Sequence, residues 1–118
     1  MDLFKKEGAF IQESLFAGND IPVLVEGITI ASGQKLKRGT VIGIVTESKL
    51  AKKVDSSVSD GSENPECILT DDVDATNANV RATGYISGYF NRSSLIVGDS
   101  DNIETYKNKL RILGIFVK

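Results

Sequence analysis

From Asn79 to Tyr89 the chain alternates: Val80, Ala82, Gly84, Ile86 and Gly88 fall on one face, and Arg81, Thr83, Tyr85, Ser87 and Tyr89 on the other. A period of two is that of a strand, and the small residues on one face predict a strand that lies close against another backbone, including that of a second chain. A β-branched run from Thr40 to Thr46 predicts a second, half-buried strand. It follows a tight corner, with a turn at Ser32-Gly33, a single inward Leu36 and a second turn at Arg38-Gly39. Val23 to Glu26 and Ile28 to Ala31 read as a strand interrupted at Gly27, where a bulge is expected. Cys67-Ile68-Leu69 and Ile115-Phe116-Val117 are short apolar strands.

One stretch changes period. Ile103, Tyr106, Leu110 and Leu113 fall at helical spacing and stop at Gly114, with Asp101 as the expected N-cap and Glu104 completing a capping-box pair. Leu110, Leu113, Ile115 and Phe116 are expected to plug the core. The fold class predicted is mainly β with one short C-terminal helix, in a compact single domain with an N-terminal arm.

The remaining segments are polar or irregular. Glu47 to Pro65 is rich in Lys, Asp, Ser and Gly, and predicts a long exposed loop with at most a short strand near Lys53-Val54. Its Lys49, Lys52 and Lys53 suit a solvated face better than a phosphate site. Asp71, Asp72 and Asp74 could suggest a Ca²⁺ site, but they lack the Asp-x-Asp-x-Asp-Gly spacing and a closing Glu, so turn and surface roles are expected and no metal. Met1 to Asp20 scatters Leu3, Phe4, Phe10, Ile11, Leu15 and Phe16 without a clear period and holds three of the five Phe. The organisation predicted is an arm over residues 1–20 and a β-rich domain over 21–118.

Composition narrows the function. The chain of 118 residues has no His and no Trp, one Cys, 14 Lys+Arg against 16 Asp+Glu and a formal charge of -2. Without His, proton transfer and metal ligation at neutral pH lose their usual group, which argues against an enzyme. Residues 1–54 carry 8 basic and 6 acidic groups and residues 55–118 carry 6 and 10, so no basic block suits a nucleic-acid backbone. Neither a membrane span nor a basic leader with an apolar run is present, which predicts a protein made in the cytoplasm. Cys67 beside Ile68 and Leu69 reads as a small buried hydrophobe.

Several of these stretches, taken in order, resemble the phage lambda-type head decoration proteins. They are Val25-Glu26-Gly27, Ile30 to Gln34, Leu36 to Val41, Gly43, Ser59 to Glu63, Ile68-Leu69, Asp71 to Thr76, Gly88 to Asn91 and Leu110 to Val117. The resemblance implies a β-clip-like fold, a homotrimer and no cofactor. It also implies attachment to the outer surface of a mature capsid at three-fold and quasi-three-fold positions, with the major capsid protein as partner, stabilisation of the virion, and synthesis in the bacterial host cytoplasm. The first twenty residues are more apolar than a flexible polar arm of that kind, and Leu3, Phe4, Phe10 and Ile11 are the expected capsid-binding residues.

A second class shares the corner. Gly33 to Val45 also looks like the turn of biotinyl and lipoyl carrier domains, which present a modifiable Lys on a tight hairpin. The sequence gives no evident hairpin of that kind: Lys35 and Lys37 lie in the corner, and Lys49, Lys52 and Lys53 in the polar loop.

Overall fold

The computed structural model describes residues 16–18, 23–98 and 101–118. Among the described residues ten strands and one α-helix follow one another: β1 (Phe16–Gly18), β2 (Val25–Ile30), β3 (Gln34–Leu36), β4 (Val41–Ile44), β5 (Ala51–Lys53), β6 (Pro65–Leu69), β7 (Val73–Ala75), β8 (Val80–Tyr85), β9 (Gly88–Phe90), α1 (Ile103–Leu113) and β10 (Ile115–Val117). The mainly β architecture with one helix near the C-terminus is the one expected.

Five strands close into a barrel in the order β2-β5-β4-β6-β8. Closure removes the free strand edges that an open sheet would leave. The period of two then sorts side chains to either side of the barrel wall. Ile42 pairs with Cys67 across β4 and β6 and both face the interior with Ile30, Ala51 and Leu69. Their neighbours Val41 and Ile68 pair as well, but face outward into a second core with Val54, Phe90, Tyr106, Leu110, Ile115 and Val117. The helix is amphipathic because it covers this second core: Tyr106 and Leu110 are buried. A three-stranded sheet, β10-β9-β1, and a two-stranded ribbon, β3-β7, complete the fold. Leu36, in the ribbon, points inward as predicted.

Four expectations are corrected. Gly27 carries no bulge, because β2 and β8 stay in register from Val25↔Tyr85 through Gly27↔Thr83 to Ile30↔Val80. The irregularity lies instead between Ile42 and Gly43, where a Cβ on Gly43 would come within 2.2 Å of the Ser62 carbonyl oxygen. The strand expected over 79–89 is two strands in different sheets, parted at Ile86-Ser87 and turned at Gly88, which has φ +137. Its small-residue face packs on this chain's own barrel interior: Val80, Ala82 and Ile86 lie against the inner core, and a Cβ on Gly84 would stand 2.3 Å from Cys67 Sγ.

The fourth correction concerns the helix. Asn102, not Asp101, is the N-cap, and its side chain accepts from the Glu104 amide at 2.9 Å. Glu104 pairs with Arg92 at 2.8 Å. Leu113 is 44% exposed and Phe116 half-buried, so Leu110 and Ile115 are the plug, with Val117 in place of the other two. The helix ends where expected, at Gly114 in the left-handed region with φ 99.

The polar loop is stitched down. Asp55 accepts from the Ser57 amide and hydroxyl at 2.9 and 2.6 Å, and Asp60 likewise from Ser62 at 3.0 and 2.5 Å. Such Asx turns satisfy backbone donors where no ladder can. The strand within it is Ala51–Lys53, with Val54 buried behind it.

Candidate functional site

The described surface concentrates its apolar area in one place. Val23 and Leu24, just before β2, and Val25, its first residue, are 41%, 56% and 56% exposed, and Ile112 and Leu113 at the end of α1 are 84% and 44% exposed. Residues 86–88 bridge the two groups. The Ile86 amide donates to the Leu24 carbonyl at 2.9 Å, and the Leu24 amide donates to Ser87 Oγ at 3.1 Å. On the other side the Gly88 amide donates to the Gly114 carbonyl at 3.1 Å. The backbones are close: a Cβ on Gly88 would touch Val23 Cγ2 at 3.4 Å, and one on Gly114 would touch Ser87 Cβ at 3.9 Å. Single exposed leucines are ordinary, whereas five exposed aliphatic side chains on two abutting segments are a concentration of apolar surface.

The same three-stranded sheet carries the root of the N-terminal segment. In β1 Phe16 pairs with Phe90, and Gly18 with Tyr89. The apolar surface lies at the Gly88 end of β9. On this sheet Tyr89 and Phe116 pack with ring centroids 5.4 Å apart, and Lys118 Nζ stands 4.6 Å above the Tyr89 ring.

The groups that could carry chemistry are placed in supporting roles. Burial pushes the Cys67 thiol up to about 12, reinforced by the charges of Glu66 and Glu26, so it stays protonated and unreactive at neutral pH. Asp72 accepts from the Arg38 amide at 2.8 Å, and Asp74 from the Thr76 amide and hydroxyl at 3.1 and 2.5 Å. The Thr76 hydroxyl, with its amide second, holds the Asp74 carboxyl below the usual carboxylate range. Among the described residues no three acidic or sulfur ligands converge. Lys52 pairs with Asp60 at 3.7 Å, and Lys35 lies opposite Asp74 in the ribbon. Lys49, expected in an exposed loop over Glu47 to Pro65, sits in a hairpin: β4 and β5 pair antiparallel through Ile44↔Ala51, and Lys49 lies in the connection with φ 63.

Leu3, Phe4, Phe10 and Ile11 lie outside the described residues. The apolar surface on Val23 to Val25 and Ile112 was not anticipated, although its signal is present. Three consecutive apolar residues cannot all point to one face of a strand, and Ile112 is out of phase with the buried Tyr106 and Leu110. The arrangement offers surfaces for contact and no reactive centre among the described residues.

A family model described as bacteriophage lambda head decoration protein D matches residues 4–115. The chain belongs to the head decoration family. No curated protein matches it. The family is a structural one, and association with a phage capsid is the role its name carries. The head decoration match begins at Phe4 and ends at Ile115, so it spans most of the N-terminal segment as well as the barrel and the helix. No helix among the described residues is long and apolar enough to cross a membrane.

Proposed function

We propose that the chain is a capsid cement. It binds the outer surface of a mature phage capsid as a homotrimer, at three-fold and quasi-three-fold positions, contacts the major capsid protein and stabilises the shell. The observation that carries this reading is the head decoration match over residues 4–115. The physics of the role agrees with it: a three-fold ring uses one modest patch per chain three times at once, so avidity supplies what no single contact does.

Attachment is assigned to the arm of residues 1–20, through Leu3, Phe4, Phe10 and Ile11. An extended segment adding to a free strand edge gains backbone hydrogen bonds for affinity, and its Phe and Leu side chains set the register. The test is removal of Met1 to Phe10, with binding to expanded empty capsids and thermal unfolding measured side by side. Binding is expected to fall at least about tenfold, or ~1.4 kcal/mol per contact site, with melting unchanged. A truncated protein that melts several degrees lower yet decorates normally places the arm in the core and the attachment elsewhere.

A further inference from the structure

The chain's one Asp-Gly step is Asp60-Gly61, and no Asn-Gly occurs. Such a step is where a protein chain isomerises most readily, because glycine has no side chain to shield its amide nitrogen. The Gly61 nitrogen bonds to Asp60 Cγ, and the acid's hydroxyl leaves as water with the amide proton. The five-membered imide then takes up a water. Opening at the main-chain carbonyl leaves isoaspartate, whose extra methylene lengthens the backbone. We infer that the loop after β5 suppresses this reaction, and that Glu63, Ser62 and Lys52 are the residues that keep its two reacting groups from meeting.

The electrophile is held in its unreactive form. Asp60 Oδ1 accepts from the Ser62 amide at 3.0 Å and from the Ser62 hydroxyl at 2.5 Å, and Oδ2 stands 3.7 Å from Lys52 Nζ. The Ser62 hydroxyl, then its amide, and the Lys52 charge hold this carboxyl below the usual range, so the acid form that can shed water is scarce at neutral pH. The nucleophile is engaged as well. The Gly61 amide donates to Glu63 Oε1 at 2.8 Å, and removing its proton would leave an amide anion against a carboxylate. Nor is the peptide unit between them free to swing. The Asp60 carbonyl accepts from the Thr46 amide at 2.8 Å, so turning the unit onto Cγ breaks the bonds at both of its ends. Gly61 itself, at φ +106, is wedged at the end of β4: a Cβ there would stand 2.1 Å from Thr46 Oγ1 and 2.9 Å from the Ile44 carbonyl oxygen. The position is a sensitive one. Ser62 is fully buried with its carbonyl against Gly43, and a methylene inserted just before it would push it off the barrel wall.

The experiment holds the full chain at neutral pH and physiological temperature for several weeks and counts isoaspartate at residue 60 by peptide mapping and methyltransferase labelling. The same chain unfolded in guanidinium chloride is run beside it, and exchange of the Gly61 amide is measured in the folded chain. Folded wild type is expected to isomerise at least about tenfold more slowly than the unfolded chain, the factor set by a local opening of ~1.4 kcal/mol, and its Gly61 amide to exchange slowly. Glu63→Ala should raise the folded rate about threefold or more, as loss of one hydrogen bond allows, while Glu63→Gln keeps an acceptor oxygen and should stay near wild type. Leu110→Ala, which loosens the core and leaves these contacts in place, should match wild type. Isomerisation of folded wild type at the unfolded rate, a Gly61 amide that exchanges like a free peptide, or a folded Glu63→Ala no faster than wild type each overturn the inference. Equal acceleration in Leu110→Ala does so too, because it traces the effect to global unfolding. If Glu63→Ala does not fold, the two wild-type measurements decide.

Discussion

The phenol of Tyr106 donates a 2.6 Å hydrogen bond to the carboxylate of Asp101. The same carboxylate accepts from the Ser56 amide at 3.1 Å and from the Ser56 hydroxyl. One acidic side chain ahead of α1 therefore ties the loop after β5 to a ring that is 1% exposed in the outer core. A Tyr placed in a core needs a partner for its hydroxyl, and here the partner also organises a loop.

Tyr106→Phe keeps the ring and removes the donor. Loss of one hydrogen bond to a charged acceptor is expected to cost about 1.5 to 3 kcal/mol at most, less where Ser56 compensates, as read from chemical unfolding. Exchange of the Ser56 amide with solvent should quicken as well. A variant with unchanged stability and unchanged exchange at Ser56 would show that Asp101 holds the loop without the phenol.

Stability should form a plateau bounded on both sides by groups in this structure. The Ser57 hydroxyl holds Asp55, the Ser62 hydroxyl holds Asp60, the Thr76 hydroxyl holds Asp74, and the Ser56 hydroxyl followed by the Tyr106 phenol holds Asp101, all below the ordinary value of 3.8. Because the folded values are depressed, the stability these groups give is present above about pH 4 and is lost as pH falls through the folded values. On the alkaline side burial raises Cys67 from 9.0 to about 12, and burial with the Asp101 bond raises Tyr106 from 10.0 to about 12. Raised folded values mean stability that is present below the unfolded values and declines as pH climbs toward 12. Denaturant midpoints measured across pH should show both limbs, and a midpoint at pH 3 equal to that at pH 7 would remove the acid argument.

Much of this arrangement was legible before any coordinates. The corner around Leu36, the strands at Val41 and Ile68, the helix ending at Gly114 and the last strand at Ile115 all rest on local rules of period and turn chemistry, which need no partner to be read. The failures share a cause. Whether Gly27 bulges, which of Asp101 and Asn102 caps, and whether the Gly84 face looks inward depend on what lies across a closed barrel, and sequence distance hides that. Ser56 and Asp101, 45 positions apart, are such a case. The apolar surface at Leu24 and Ile112 was missed because each half looks like ordinary core until the other half and the exposure of both are known.

Gly84 tests the closeness of the barrel wall. Its backbone accommodates an L residue, but a Cβ would meet Cys67 Sγ at 2.3 Å and Cys67 Cβ at 2.9 Å. Gly84→Ala is expected to cost about 1 to 3 kcal/mol by overpacking. Adding Cys67→Ala should return part of that loss, since the two side chains then share the space of one sulfur, giving a favourable coupling of about 0.5 kcal/mol or more in a double-mutant cycle. Strictly additive costs would mean that β8 shifts away from β6 and the two positions never compete.

Leu110 and Leu113 separate the helix face that holds the fold from the face left open to solvent. Leu110 is 0% exposed within the core of Val41, Phe90 and Ile115, and Leu113, three positions on, is 44% exposed beside the Ser87 bridge. Leu110→Ala should cost about 2 to 5 kcal/mol, the range of a large-to-small change in a packed core. Leu113→Ala should cost less than about 1 kcal/mol in the dissociated chain, nearer the range of surface substitutions. If copies of the chain meet on this face, the Leu113 cost grows with protein concentration while the Leu110 cost does not, because only association adds a mass-action term. Unfolding curves collected at two widely separated concentrations distinguish the cases. A large cost at Leu113 in dilute solution would place that side chain in the fold's own core.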